Sequence, residues 1–152
     1  VQYVSTDLPL LNRKPWFERN NVEATTRLAA RYATEPSTYF LNVGTSMMYL
    51  QSGLARYSVT SPMGAQGPYS DSKLRAHRVV ASGPNRSATV LPCIVGGPGR
   101  GGLFRNLVQM IHRSSRALVI GGGDLPVATV HVDDLAALIH RLVRMQPTGL
   151  FN

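Results

Sequence analysis

With 152 residues, 43% of them hydrophobic, the chain is long enough to bury one real core, and no apolar run in it is long enough to cross a membrane as a helix. Val1 to Leu11 lacks a basic region ahead of an apolar stretch and does not read as a signal peptide. The lone cysteine, Cys93, excludes an internal disulfide and a thiolate metal cluster and suits a reducing cytoplasm. The formal net charge of +8 comes mostly from arginines scattered without a basic run or a basic–aromatic segment. It therefore reads as a solvated surface that attracts phosphate-bearing small molecules, not as a nucleic-acid interface.

In chain order, Val1–Val4 reads as a short strand. Asn20 or Asn21 is placed to cap a helix running to about Ala33, with Glu23 in its first turn. Thr38–Val43 is apolar and β-prone, as a buried strand should be. Gly44 to Pro68, rich in Gly, Ser and Pro, predicts a long loop, which in a compact domain is usually functional. A helix is expected from about Tyr69 to Val80, stopping before Gly83-Pro84. Ala88–Val95 predicts a second continuous buried strand, followed by a glycine-rich loop from Gly96 to Gly102. Leu103–His112 has helical apolar spacing. Leu118–Ile120 and Val127–Val132 predict short strands flanking a glycine turn, Asp133 caps a helix reaching about Met145, and Leu150–Asn152 begins another strand. Strands that alternate with helices, with apolar central strands, predict an α/β fold: a Rossmann-like, doubly wound parallel sheet. Because the first and last segments are strands, both ends read as cut within a sheet.

The chemistry centres on Tyr69-Ser70-Asp71-Ser72-Lys73. Tyr and Lys four apart share a helix face. A phenol titrates near pH ~10 and is a poor acid or base at neutrality, but a neighbouring ammonium favours the phenolate and fits it for proton exchange with a hydroxyl or carbonyl. The pattern alone occurs by chance as a surface pair; its context gives it weight. Upstream, the strand through Val43 runs into Gly44-Thr45-Ser46, hydroxyl groups at a strand's carboxyl end, where such sheets place ligands. Alone, these residues equally fit an ordinary strand-end turn. Downstream, Leu91-Pro92-Cys93-Ile94-Val95 runs into glycines that allow close backbone approach.

The order of these segments resembles the extended short-chain dehydrogenase/reductase family, the NAD-dependent epimerase/dehydratase group. Asn21-Val22-Glu23-Ala24-Thr25 is similar to its N-V-x-G-T, with Ala24 for Gly. Gly44-Thr45-Ser46-Met47-Met48-Tyr49 is similar to S-S/T-S-x-x-V-Y, and Tyr69 to Lys73 matches Y-x-x-S-K. Leu91 to Gly99 is similar to L-R-P-x-x-V-Y-G-P-G, without the Arg and with Gly96 for Tyr. Val130 to Ala136 is close to H-V-D-D-x-A. His77 stands where the family has Glu and reads as a surface residue.

The resemblance implies an NAD(P)-dependent oxidoreductase, epimerase or dehydratase acting on a hydroxyl or keto group of a nucleotide sugar or similar small molecule. Tyr69 would be the acid/base, Lys73 would hold the nicotinamide ribose and depress the Tyr69 pKa, and Thr45 would orient the substrate oxygen. Val4, Ser5, Thr6, Asn21, Lys73, Pro92 and Ile94 would line the NAD or NADP site. Thr45, Ser46, Met47, Arg100 and Arg105 would face substrate. The family's usual dimer would use the helices beginning near Glu23 and Tyr69. The resemblance also implies a partial dinucleotide-binding region over 1–95, a substrate-binding portion over 96–130, and a return to the sheet over 131–152. The glycine-rich unit that cradles pyrophosphate in that family is not found ahead of Val1. The alternative is a non-catalytic dinucleotide-binding regulatory or structural subunit of the same fold. The histidines lack metal-ligand spacing, so no metal is expected, and neither nucleic acid nor membrane is expected as a partner.

Overall fold

The computed structural model describes residues 14–50, 56–99, 103–114 and 127–152. The strands expected at Val1–Val4 and Leu118–Ile120 lie outside them. Helical structure begins earlier than the sequence suggested: α1 (Lys14–Phe17) passes through a π-helical turn (Glu18–Glu23) into α2 (Ala24–Tyr32) without a break. Asn20 and Asn21 are therefore inside the helix and do not cap it. Asn20 Nδ2 donates to the Trp16 carbonyl, and Asn21 is buried. Side chains able to bond backbone or neighbouring groups made both look like caps, whereas packing against the next helix decided their place.

β1 (Phe40–Val43) is followed by a 3₁₀ turn (Ser46–Met48) and an isolated bridge between Tyr49 and Met63, so the expected long loop contains regular structure. α3 (Pro68–Ala81) starts with proline at its first turn, whose missing N–H costs nothing there. Ser70 Oγ accepts from the backbone N–H groups of Gly67 and Gln66. β2 (Ser87–Val90) lies between β1 and β5 (Gly149–Phe151) in a parallel three-stranded sheet of order β1-β2-β5, with Leu41 opposite Ala88 and Thr89 opposite Leu150.

The strand expected as continuous from Ala88 to Val95 is divided. It leaves the first sheet after Val90, and β3 (Ile94–Gly96) pairs in parallel with β4 (Thr129–His131) in a second, two-stranded sheet. Pro92 lacks the N–H that a ladder needs, and the chain changes sheets there. α4 (Leu103–Ser114) and α5 (Val132–Met145) complete the described elements. The cap of α5 is His131, whose Nδ1 accepts from the Asp133 N–H; Asp133 lies in the first turn, where its charge suits the helix dipole.

Parallel strands joined through helices make this an α/β fold, and the core lies where α3 and the 3₁₀ turn close over the sheet. Met48, Tyr49, Leu74 and Leu91 form one buried cluster, and Phe17 and Tyr69 form another with Met47 against it. Gly44 sits at a close approach: a Cβ there would lie 2.6 Å from Leu91 Cδ2 and 3.1 Å from Met48 Sδ. No described helix is long and apolar enough to cross a membrane.

Candidate functional site

The carboxyl end of β1 gathers the residues singled out above. The parallel ladder extends one step past the strand, with Gly44 N–H donating to the Val90 carbonyl at 2.9 Å, and Ser46 N–H donates to the Pro92 carbonyl at 3.0 Å. Thr45, extended and buried, caps the 3₁₀ turn by accepting the Met47 N–H on Oγ1 at 3.3 Å. The strand end is thus held on two sides, and the Thr45 hydroxyl stands at the edge where parallel sheets meet ligands.

Lys73 reaches this edge from α3. Its side chain is 6% exposed, and Nζ donates to the Val43 carbonyl at 2.9 Å, two residues before Thr45. Burial pushes its pKa down to about 8. An ammonium has three donors, and Val43 is its one protein acceptor among the described residues. Two N–H groups are left for a ligand, which suits vicinal hydroxyls or an anion. One turn earlier on α3, Tyr69 is 2% exposed and packs against Phe17, ring centroids 5.5 Å apart, and against Met47, the residue whose N–H Thr45 caps. Tyr69, Lys73 and Thr45 therefore converge on the segment from Val43 to Met47.

Sequence reasoning missed what holds this arrangement. Asn21 Nδ2 donates to Ser72 Oγ at 2.8 Å, and Ser72 Oγ donates to the Tyr69 carbonyl at 2.7 Å. This buried chain ties the π-helical turn to α3 beside the Tyr69 backbone, and π turns are frequent near functional sites. Outside it, Arg75 grips Glu18 with two bonds of 2.7 and 2.8 Å. The Asn21 match to N-V-x-G-T was the only signal available; its partner in space was not readable.

His77, expected at the surface, is half-buried, and its Nδ1 lies 2.9 Å from Thr89 Oγ1 beneath α3. It lies two turns from Tyr69, on the side of the helix that meets the sheet. Of the remaining expected site residues, Ser46, Met47 and Pro92 are half-buried beside Thr45, and Ile94 is 37% exposed on β3. Arg105 is exposed on α4, away from any described partner. Val4, Ser5, Thr6 and Arg100 lie outside the described residues. Among the described residues no three His, Cys, Asp or Glu side chains gather as a metal site.

The sequence profile of the NAD dependent epimerase/dehydratase family matches residues 12–152. No curated protein sequence matches the chain. Among solved structures, an NAD-dependent NDP-hexosamine 5,6-dehydratase of tunicamycin biosynthesis, TunA, superposes with a TM-score of 0.81 at 18% identity, over 100% of this chain and 53% of its own. The dTDP-glucose 4,6-dehydratase DesIV of Streptomyces venezuelae, solved with NAD and TYD bound, gives 0.80 at 18% identity over 99% of this chain and 49% of its own. The UDP-N-acetylglucosamine 4-epimerase of Methanobrevibacter ruminantium M1, in complex with UDP-N-acetylmuramic acid, gives 0.82 at 12% identity over 99% and 52%. The chain spans about half the length of these structures, and at such identities the likeness is one of fold.

Proposed function

Because the chain belongs to the NAD-dependent epimerase/dehydratase family, we propose that it carries the catalytic helix and the substrate side of an NAD-dependent enzyme acting on a hydroxyl or keto group of a nucleotide sugar or similar small molecule. The observation that carries this reading is the buried Lys73 ammonium, anchored on the Val43 carbonyl with two donors to spare at the carboxyl end of β1. NAD, when bound, supplies the nicotinamide carbon that accepts and returns a hydride. Lys73 holds ribose hydroxyls with its remaining N–H groups and, as a cation, favours the Tyr69 phenolate. The Tyr69 oxygen takes the proton of the substrate hydroxyl as its carbon is oxidised and gives it back on reduction. Thr45 orients that oxygen by hydrogen bonding from the strand end. Asn21, Pro92 and Ile94 belong on the cofactor side; Ser46, Met47 and Arg105 belong on the substrate side. On this reading the chain divides into a partial dinucleotide-binding region over 1–95, a substrate-binding portion over 96–130 and a return to the sheet over 131–152. The sheet change at Pro92 supports a boundary close to that position. A homodimer through α2 and α3 and a reducing cytoplasm, suited to the lone half-buried Cys93, complete the reading.

The test is conversion of nucleotide sugars by the purified protein supplied with NAD, followed as loss of substrate. Turnover is expected to fall by about 10²–10⁴ in Tyr69→Phe, the usual worth of a general acid/base. Undiminished turnover in that variant rejects the assignment.

One observation favours the second reading, a dinucleotide-binding regulatory or structural subunit. Tyr69 is 2% exposed, and a proton-transferring phenol needs a path to its substrate. The departures at Ala24, Leu91 and Gly96 point the same way. That reading expects saturable NAD binding, weakened in Lys73→Met, with no turnover in either form.

A further inference from the structure

A cleft opens at the end of the sheet opposite Thr45. α3 packs over β1 and β2, and at the amino ends of β2 and β5 the sheet borders a cleft of about 400 Å³. Ligand sites commonly have such volumes, with an apolar wall and a few convergent polar groups. Leu150 and Ala81 provide the apolar surface, Thr89 and His77 the polar base, and Arg86 the rim, with no carboxylate among the lining residues. Thr89 and Leu150 are neighbours in the parallel register and therefore share a face, the one against which His77 of α3 sits.

The hydrogen bonds beneath the cleft show which groups are engaged within the protein and which remain for a ligand. Asn42 Nδ2 can only donate, and it lies 3.4 Å from Thr89 Oγ1. The threonine hydroxyl accepts there and also meets His77 Nδ1, 2.9 Å away, so that ring nitrogen is engaged inside the protein. Burial and the Arg78 charge lower the imidazole pKa, and its Nε2 has no protein partner among the described residues. Arg86 uses one Nη2 hydrogen on the Gln146 carbonyl at 2.6 Å. Its other N–H groups are free of protein partners there, and a planar guanidinium matches a carboxylate in two-point geometry.

We propose that this cleft is a second binding site, at the end of the sheet remote from Thr45, for a small organic carboxylate. The apolar body lies along Leu150 and Ala81, one carboxylate oxygen accepts from His77 Nε2, and the Arg86 fork holds the carboxylate. Neither Tyr69 nor Lys73 takes part, so the site stands or falls independently of the NAD chemistry.

Sodium benzoate is the probe, with the full chain labelled with ¹⁵N and the His77 ring nitrogens followed by NMR. Benzoate is expected to shift Nε2 saturably, and benzyl alcohol, which lacks the charge, to bind at least about tenfold more weakly, as loss of a charge-assisted hydrogen bond implies. Arg86→Met is expected to weaken benzoate by about tenfold or more. Ala81→Trp, an exposed substitution at the end of α3 that fills the cleft, is expected to abolish binding while the remaining amide spectrum stays folded. Tyr69→Phe is expected to leave the benzoate titration unchanged. No saturable shift, equal binding of benzyl alcohol, binding of inorganic phosphate as tight as benzoate, or unchanged affinity in folded Ala81→Trp each overturns the site.

Discussion

At the scale of single residues, Lys73 shows how a charge can be placed against its own solvation. Burial lowers its pKa from 10.5 to about 8. Below about 8 both the folded and the unfolded chain carry the proton, and the cost of burying the charge is present in full. Between about 8 and 10.5 the unfolded chain binds a proton that the folded chain has released, so folding stability rises with pH in that window. Urea denaturation across it is expected to show wild type gaining stability relative to Lys73→Met, and a pH-independent difference between the two refutes this. Tyr49 is the converse case, a phenol stacked on Tyr57 at 5.4 Å whose buried hydroxyl has no partner among the described residues. An unpaired buried polar group costs roughly 1–3 kcal/mol. Tyr49→Phe is therefore expected to raise the urea midpoint by the equivalent of about 1 kcal/mol, and a lowered midpoint would mean that the hydroxyl has a partner.

At the scale of elements, the joints between helices and strands rest on side chains far away in sequence. Asn85, after α3, shares the two Nδ2 hydrogens among the carbonyls of Tyr32, Glu35 and Thr38 at 3.1, 2.9 and 3.4 Å, clamping the whole turn from α2 to β1. Loss of this clamp in Asn85→Ala is expected to cost roughly 1–3 kcal/mol, read as a lower thermal midpoint with unchanged secondary structure; a midpoint equal to wild type removes the clamp from the account. Tyr39 and Arg86 act likewise at the entry to β5, on the carbonyls of Pro147 and Gln146. Periodicity made α3, α4 and α5 legible to within about two residues, because an apolar stripe and a proline or glycine at the ends act locally. It could not show the π turn around Asn21 or the change of sheet at Pro92. Each depends on what a distant segment offers: Ser72 in one case, β4 in the other.

At the scale of the whole molecule, the helical run through α2 packs against α3, and Leu28 on α2 remains 51% exposed. If these helices form the proposed dimer, Leu28→Asp is expected to convert a dimer to a monomer in analytical ultracentrifugation without weakening NAD binding. An unchanged sedimentation profile would exclude this face.

The linear sequence by itself determined the α/β class, the alternation of strand and helix, and the placing of Tyr69 and Lys73 on one helix and of Thr45 at a strand's end, because pattern, propensity and motif spacing are local properties of the chain. Only the tertiary structure decided that Lys73 is anchored on Val43, that Asn21 braces α3 through Ser72, that His131 and not Asp133 caps α5, and that His77 turns inward to Thr89. The reason is that a polar side chain removed from water takes whichever partner the packing brings within reach, and that partner can lie fifty residues away.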